Sequence, residues 1–129
     1  MNTISTFEVK SWDEQPFAEG TDQPKLTQTV ATKTFTGDID GEATVAYLMV
    51  YRPDGSTIIT GFERVVGSVG GRSGSFVLRH EGTDQDGAAT CTCTVVPGSG
   101  TGELANLSGE GHFAAKSMTV EFTFDYQLD

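Results

Sequence analysis

The stretch Gly61-Phe62-Glu63-Arg64-Val65-Val66-Gly67-Ser68-Val69-Gly70-Gly71-Arg72-Ser73-Gly74-Ser75-Phe76-Val77-Leu78-Arg79-His80 decides how the rest of the chain is read. Two runs rich in β-branched and aromatic residues flank a glycine cluster. Glycine accepts the positive φ that a tight reversal needs, so the pattern predicts a β-hairpin. The hairpin gathers an acid, three arginines and a histidine into one short segment. It is therefore both the clearest structural signal and the place where chemistry is concentrated.

Outward from it, the chain breaks into short strand candidates separated by turn residues. Before the hairpin, strands are expected at Thr6 to Trp12, Lys25 to Phe35 and Ala43 to Tyr51. Asp13 to Pro24 is expected to be a loop, and Pro53-Asp54-Gly55 is a strong turn tripeptide. The hairpin strands themselves read as Thr57 to Val66 and Ser73 to His80. After a turn at Gly82 to Gly87 come Ala88 to Val96, Leu107 to Phe113 and Ser117 to Leu128. About eight strands at short, regular spacing with no helical period predict a sandwich or a closed barrel. The last strand alternates most cleanly: Met118, Val120, Phe122, Phe124, Tyr126 and Leu128 on one face, Thr119, Glu121, Thr123, Asp125 and Gln127 on the other. The third strand is apolar on both faces, Val45, Tyr47, Met49 and Tyr51 against Ala46, Leu48 and Val50. That predicts an outer stripe covered by a loop or by a second copy, so a homodimer or other homo-oligomer is expected.

Composition bounds the rest. The 129 residues fit one domain, residues 1–129, and 36% hydrophobic content supplies a single core. With 8 basic and 18 acidic side chains the net charge is −10, which repels phosphate backbones and anionic membranes. No nucleic-acid or membrane partner is expected, and no apolar run nears the roughly 20 residues of a bilayer span. The start, Met1 to Phe7, has no basic and apolar leader, and Cys91 and Cys93 sit at i and i+2 of a strand. Both features fit buried, reduced thiols and a cytoplasmic location.

In the hairpin, Phe76, Leu78 and His80 share a face opposite Arg79 and Glu81, so the first set should point inward. Pairing Val65 with Phe76 sets Glu63 across from Leu78 and Gly61 across from His80. Glu63 and His80 then become diagonal neighbours about 5–8 Å apart inside the fold. An enclosed carboxylate beside an imidazole suits general acid–base work, and equally a buried polar pair that satisfies the strands. Other motifs carry less. Pro97-Gly98-Ser99-Gly100-Thr101-Gly102 lacks the lysine and helix of a phosphate loop and reads as a connection with a helical turn from Thr101. Ser73 and Ser75 miss the nucleophile-elbow spacing, and Asp38-Ile39-Asp40-Gly41 is a hairpin turn too short for calcium. The two histidines lie on different strands, so no metal site and no cofactor motif is expected.

Taken in order, Tyr51-Arg52-Pro53-Asp54-Gly55, Gly61-Phe62-Glu63-Arg64, Gly71 to His80 and Val96 to Leu104 resemble small bacterial proteins classed as domain-of-unknown-function family 3224. The resemblance spans Lys25 to Tyr126 and implies a closed antiparallel eight-stranded barrel similar to allene oxide cyclase. Plant proteins of that barrel, the cyclases and dirigent proteins, steer reactive intermediates in a lumen. No stretch here matches the cyclases' catalytic positions, so the resemblance transfers no catalytic residue. It leaves three functions open. The lumen, lined by Tyr47, Tyr51, Phe62 or Glu63, Phe76, His80 and Tyr126, holds a small apolar metabolite. Alternatively, Glu63 and His80 are the acid–base pair of a cyclase or isomerase. Or the core is filled, and the protein serves structure or interaction.

Overall fold

The computed structural model describes residues 1–129. The chain forms nine antiparallel strands: β1 (Asn2–Ala18), β2 (Lys25–Gly37), β3 (Ile39–Tyr51), β4 (Thr57–Val69), β5 (Arg72–Gln85), β6 (Ala88–Val95), β7 (Thr101–Gly102), β8 (Ser108–Ala115) and β9 (Thr119–Gln127). It contains no helix long and apolar enough to cross a membrane. Strands β1 to β6 each pair with the next, β6 then pairs with β8, β8 with β9, and β9 returns to β1. The result is a closed eight-stranded barrel, with β7 a short addition at one end of β5. Closure excludes the open sandwich.

Sequence phase accounts for the wall. Along β9, Val120, Phe122, Phe124 and Tyr126 are buried while Glu121, Thr123 and Asp125 are exposed. The hairpin has the expected register: Val65 pairs with Phe76, Glu63 with Leu78 and Gly61 with His80. Its reversal is tighter than expected, using only Gly70 and Gly71, at φ 58° and 85°. Two consecutive positive φ values match the right-handed twist of the flanking strands, and an L side chain at both would be strained. The strands therefore run on through Gly67 and Gly74. Likewise β5 continues to Gln85, leaving Asp86-Gly87 as the turn into β6, and Asp38 alone separates β2 from β3. The Thr101 helical turn is instead a two-residue strand followed by a turn, closed by the Leu104 amide donating to the Thr101 carbonyl at 2.9 Å.

The expected loop at Asp13 to Pro24 requires correction, because β1 extends to Ala18. Lys10 is a bulge: Val9 pairs with Lys33 but Ser11 with Thr32. One extra residue shifts the side-chain phase. Phe7 and Val9 point inward before the bulge, and Trp12, Glu14 and Pro16 do so after it, opposite the buried Ala31, Thr29 and Thr27. Read with a fixed period of two, the segment looks irregular. Its far half also lacks a second neighbour, since β9 pairs with β1 only from Asn2 to Glu8.

The interior divides in two. At one end Phe7, Phe35, Phe76, Phe122, Phe124 and Tyr126 build an aromatic core, with Phe124 stacked on Tyr126 at 5.0 Å and edge contacts such as Phe7 to Phe113 at 5.1 Å. Leu104 and Leu107, from the β6–β8 connection, are buried in this core. Towards the other end lies a smaller cluster of Ala31, Val45, Tyr47, Met49 and Ile59. Between the two sit the polar residues.

Candidate functional site

Five consecutive strands each send one side chain to the same level of the barrel: Lys33 from β2, Tyr47 from β3, Glu63 from β4, His80 from β5 and Cys93 from β6. All five are buried. Gly61 makes this possible. It pairs with Tyr47 on one side and His80 on the other, and a β-carbon there would lie 2.1 Å from the Ala46 carbonyl oxygen. With no side chain between them, the two rings meet edge to face, centroids 5.3 Å apart.

The contacts form a closed ring. The His80 imidazole donates from Nε2 to Glu63 Oε1 at 2.6 Å, the short distance of a charge-assisted hydrogen bond. The other ring nitrogen, Nδ1, lies 3.3 Å from the Tyr47 hydroxyl and 3.4 Å from Cys93 Sγ. The Tyr47 oxygen in turn accepts from Lys33 Nζ at 3.4 Å, and Nζ lies 3.3 Å from Glu63 Oε2. This last contact is an ion pair without hydrogen-bond alignment, and Oε2 has no hydrogen-bond partner. Lys33 also lies over the Phe7 ring at 4.2 Å and the Phe113 ring at 5.2 Å, both favourable for a cation. Glu63 and His80 are therefore in direct contact, closer than their diagonal register suggested.

Electrostatics follow from burial and this ring. Burial alone would push the Glu63 carboxyl up, but the Lys33 ammonium and the His80 hydrogen bond outweigh it and hold the carboxyl below its ordinary value. Burial, with Glu63 adding, pushes the Tyr47 hydroxyl well up. Burial likewise raises the Cys91 thiol to about 11 and the Cys93 thiol further. Neither cysteine is in a disulfide, and both are closed, protonated side chains rather than nucleophiles. No three His, Cys, Asp or Glu side chains converge in a way that could hold a metal ion.

Of the other residues expected to line the lumen, Tyr51 lies at the rim. Its hydroxyl donates to Glu14 Oε2, which also accepts from Thr27 at 2.8 Å, while Trp12 Nε1 donates to Glu14 Oε1 at 3.1 Å. Burial and the Glu14 contact push the Tyr51 hydroxyl up to about 12. The Trp12 ring, 47% exposed, reaches back to Tyr47 at 6.0 Å. Phe76 and Tyr126 are inward but belong to the aromatic core at the opposite end, Phe76 stacked on Phe124 and Tyr126 beside Met1. Phe62 points outward and is 56% exposed. The lumen is filled with side chains at the level of Glu63, and the prominent hollows lie on the outer wall. Lys33, Cys93, Trp12 and Glu14 were not foreseen as site residues. Two of them had a sequence signal: Lys33 shares the inward phase of Ala31 and Phe35, and Cys93 was read as a buried thiol, though not as part of a site.

The family model described as a protein of unknown function, DUF3224, matches residues 3–126. A crystal structure of a protein with unknown function from that family, from Shewanella oneidensis MR-1, is similar over 100% of this chain and 98% of its own. It shares 29% sequence identity with this chain, and the TM-score is 0.84. No curated protein matches the chain. A family match over nearly the whole length, together with a shared barrel, makes the chain a member of the DUF3224 family.

Proposed function

We propose that the barrel binds one small, mainly apolar molecule at the end rimmed by Trp12, Tyr51 and Met49, with the Lys33–Glu63–His80 ring as the polar floor beneath it. One observation carries the reading: Glu63 Oε2 is buried without a hydrogen bond, under a rim whose inward-phased Trp12 remains half exposed. Lys33 Nζ, 3.3 Å away, balances the charge of this oxygen without the alignment of a hydrogen bond, so a ligand hydroxyl or amide reaching Oε2 would add the contact it lacks. The half-open wall beside β1 supports access from this end. On this reading the barrel is of the allene oxide cyclase type and works in a reducing cytoplasm, where Cys91 and Cys93 stay free.

Trp12 is the sole tryptophan, so its emission reports occupancy of the rim. Titration with the apolar dye N-phenyl-1-naphthylamine should quench Trp12 and brighten the dye in parallel, saturably. Dye binding that leaves Trp12 emission unchanged, or no binding at all, would overturn the proposal.

The 2.6 Å Glu63–His80 contact favours a second reading, proton transfer within the bound molecule by a cyclase or isomerase. Its test is mass spectrometry of a co-purified small molecule after incubation in deuterium oxide. A mass gain that Glu63→Gln abolishes would support it, and an identical mass in both proteins would exclude it.

A further inference from the structure

We propose that the outer face of β2 to β5 is the interface of a two-fold homodimer, with the axis running along β3 and β4. Cross-strand register sets the pattern on this face. One row runs Val30, Ala46, Phe62 and Arg79, and the next runs Thr32, Thr44, Arg64 and Val77. Leu48 and Val66 lie in the rows on either side, at 51% and 55% exposure, and Val30 and Phe62 are exposed at 45% and 56%. An apolar group of this extent on an outer wall is what a partner covers.

Charge identifies that partner as a second copy. Over the four rows from Leu48 to Val66 the face has two arginines, Arg64 and Arg79, and two glutamates, Glu42 and Glu81, and is neutral in a chain of net charge −10, with Asp40 just beyond it. Elsewhere the acidic surface repels its copy. Here each copy offers both signs around the same apolar centre, the self-complementarity that an isologous contact needs. Area is also sufficient. Four strands about 4.8 Å apart and four outward residues about 6.8 Å apart give about 500 Å² in projection. Two such faces bury about 1,000 Å² together, the lower bound of a specific interface.

The axis follows from shape. Rotation about the strand direction exchanges β3 with β4 and keeps each row. Phe62 then seats on Ala46 of the partner subunit, the smallest side chain in the row. Arg64 faces Thr44 of the partner subunit and lies one outward residue from Glu42 of the partner subunit. Phe62 stands as a ridge between hollows of about 620 and 550 Å³, which receive the flanking side chains.

The test uses the full chain in sedimentation velocity at micromolar concentration, where the wild-type protein should be a dimer. Phe62→Asp should weaken association at least about 30-fold, the loss typical of a central interface aromatic, with the circular dichroism spectrum unchanged. Arg64→Glu and Glu42→Arg should each dissociate the dimer, because each sets like charges together. Mixing those two variants should restore a heterodimer, since both contacts then regain opposite charges. A wild-type monomer, which would leave the face to an unrelated protein, overturns the proposal. So does a dimer that survives Phe62→Asp, or a mixture that stays monomeric.

Discussion

Replacing Lys33 with methionine isolates what holds the buried ring together. Methionine keeps the length of the stem under Phe7 and Phe113 but removes the charge 3.3 Å from Glu63. Glu63, 1% exposed, is then a buried carboxylate with His80 as its one strong contact. Breaking a buried pair by removing one partner costs about 3–5 kcal/mol, or about 10–20 °C in Tm for a domain of this size. The pH dependence gives a second, signed readout. In the wild type the Glu63 carboxyl lies below its ordinary value of 4.5, so its stabilisation is present above that value and is lost as pH falls through the folded one. Without Lys33 the largest lowering influence is gone and burial dominates, which raises the carboxyl. A raised carboxyl binds more protons in the folded state, so the Glu63 contribution to stability must fall as pH rises above the ordinary carboxyl value of 4.5. Urea titrations over a pH series above that value, followed by Trp12 emission, measure both effects. The double variant Lys33→Met/Glu63→Gln should recover most of the loss, because no charge is left stranded. The reasoning fails if Lys33→Met costs under about 1 kcal/mol, if the two changes are additive, or if the variant keeps the wild-type pH slope.

Two further tests address the core and the thiols. Phe124→Ala empties a fully buried site packed against Phe76, Phe122 and Tyr126, and should cost about 3–5 kcal/mol in denaturant titration. Glu121→Ala, on the exposed face of the same strand, should stay within about 0.5 kcal/mol, and equal losses would contradict the inward–outward assignment. Cys91, raised to about 11, and Cys93, raised further, should react with an aromatic disulfide reagent only as the barrel unfolds. Rapid labelling of the native protein at neutral pH would show that the lumen is open at that level.

How much was legible beforehand depended on which physical quantity the sequence encodes. Alternation encodes whether a side chain points in or out, and β9 and the β4–β5 register were read correctly from it. It does not encode depth. Tyr126 and Phe76 have the inward phase but pack into the aromatic end: Phe76, opposite Val65, is one inward step past the Glu63 level and stacks on Phe124, and Tyr126 stacks on the same ring. Tyr51 follows Tyr47 by four residues, about 13 Å of strand, and so reaches the rim instead of the ring. Lys33 was in phase with Phe35, yet a lysine in a threonine-rich run reads as solvated until Phe7, Phe113 and Glu63 close around it. Trp12 and Glu14 were hidden for another reason: the Lys10 bulge reverses the phase within one strand, which makes ordered wall look like loop.

The pairing of β1 with β9 also bears on how the chain reaches this form. Most of the wall joins sequence neighbours, so β1 to β6 can zip up as a meander. The seam joins residues more than a hundred positions apart, as in Thr3 with Phe124 and Phe7 with Val120. Loop closure over such a separation comes late, because its entropy must be lost before the contact gains anything. On the ribosome the ring cannot shut until β9 has left the exit tunnel. Until then Phe7 and Phe113, which the closed barrel brings edge to face at 5.1 Å, line an unsealed sheet. The Asn2–Glu8 half of β1, paired early with β2, is thus among the last stretches of wall to gain its second neighbour.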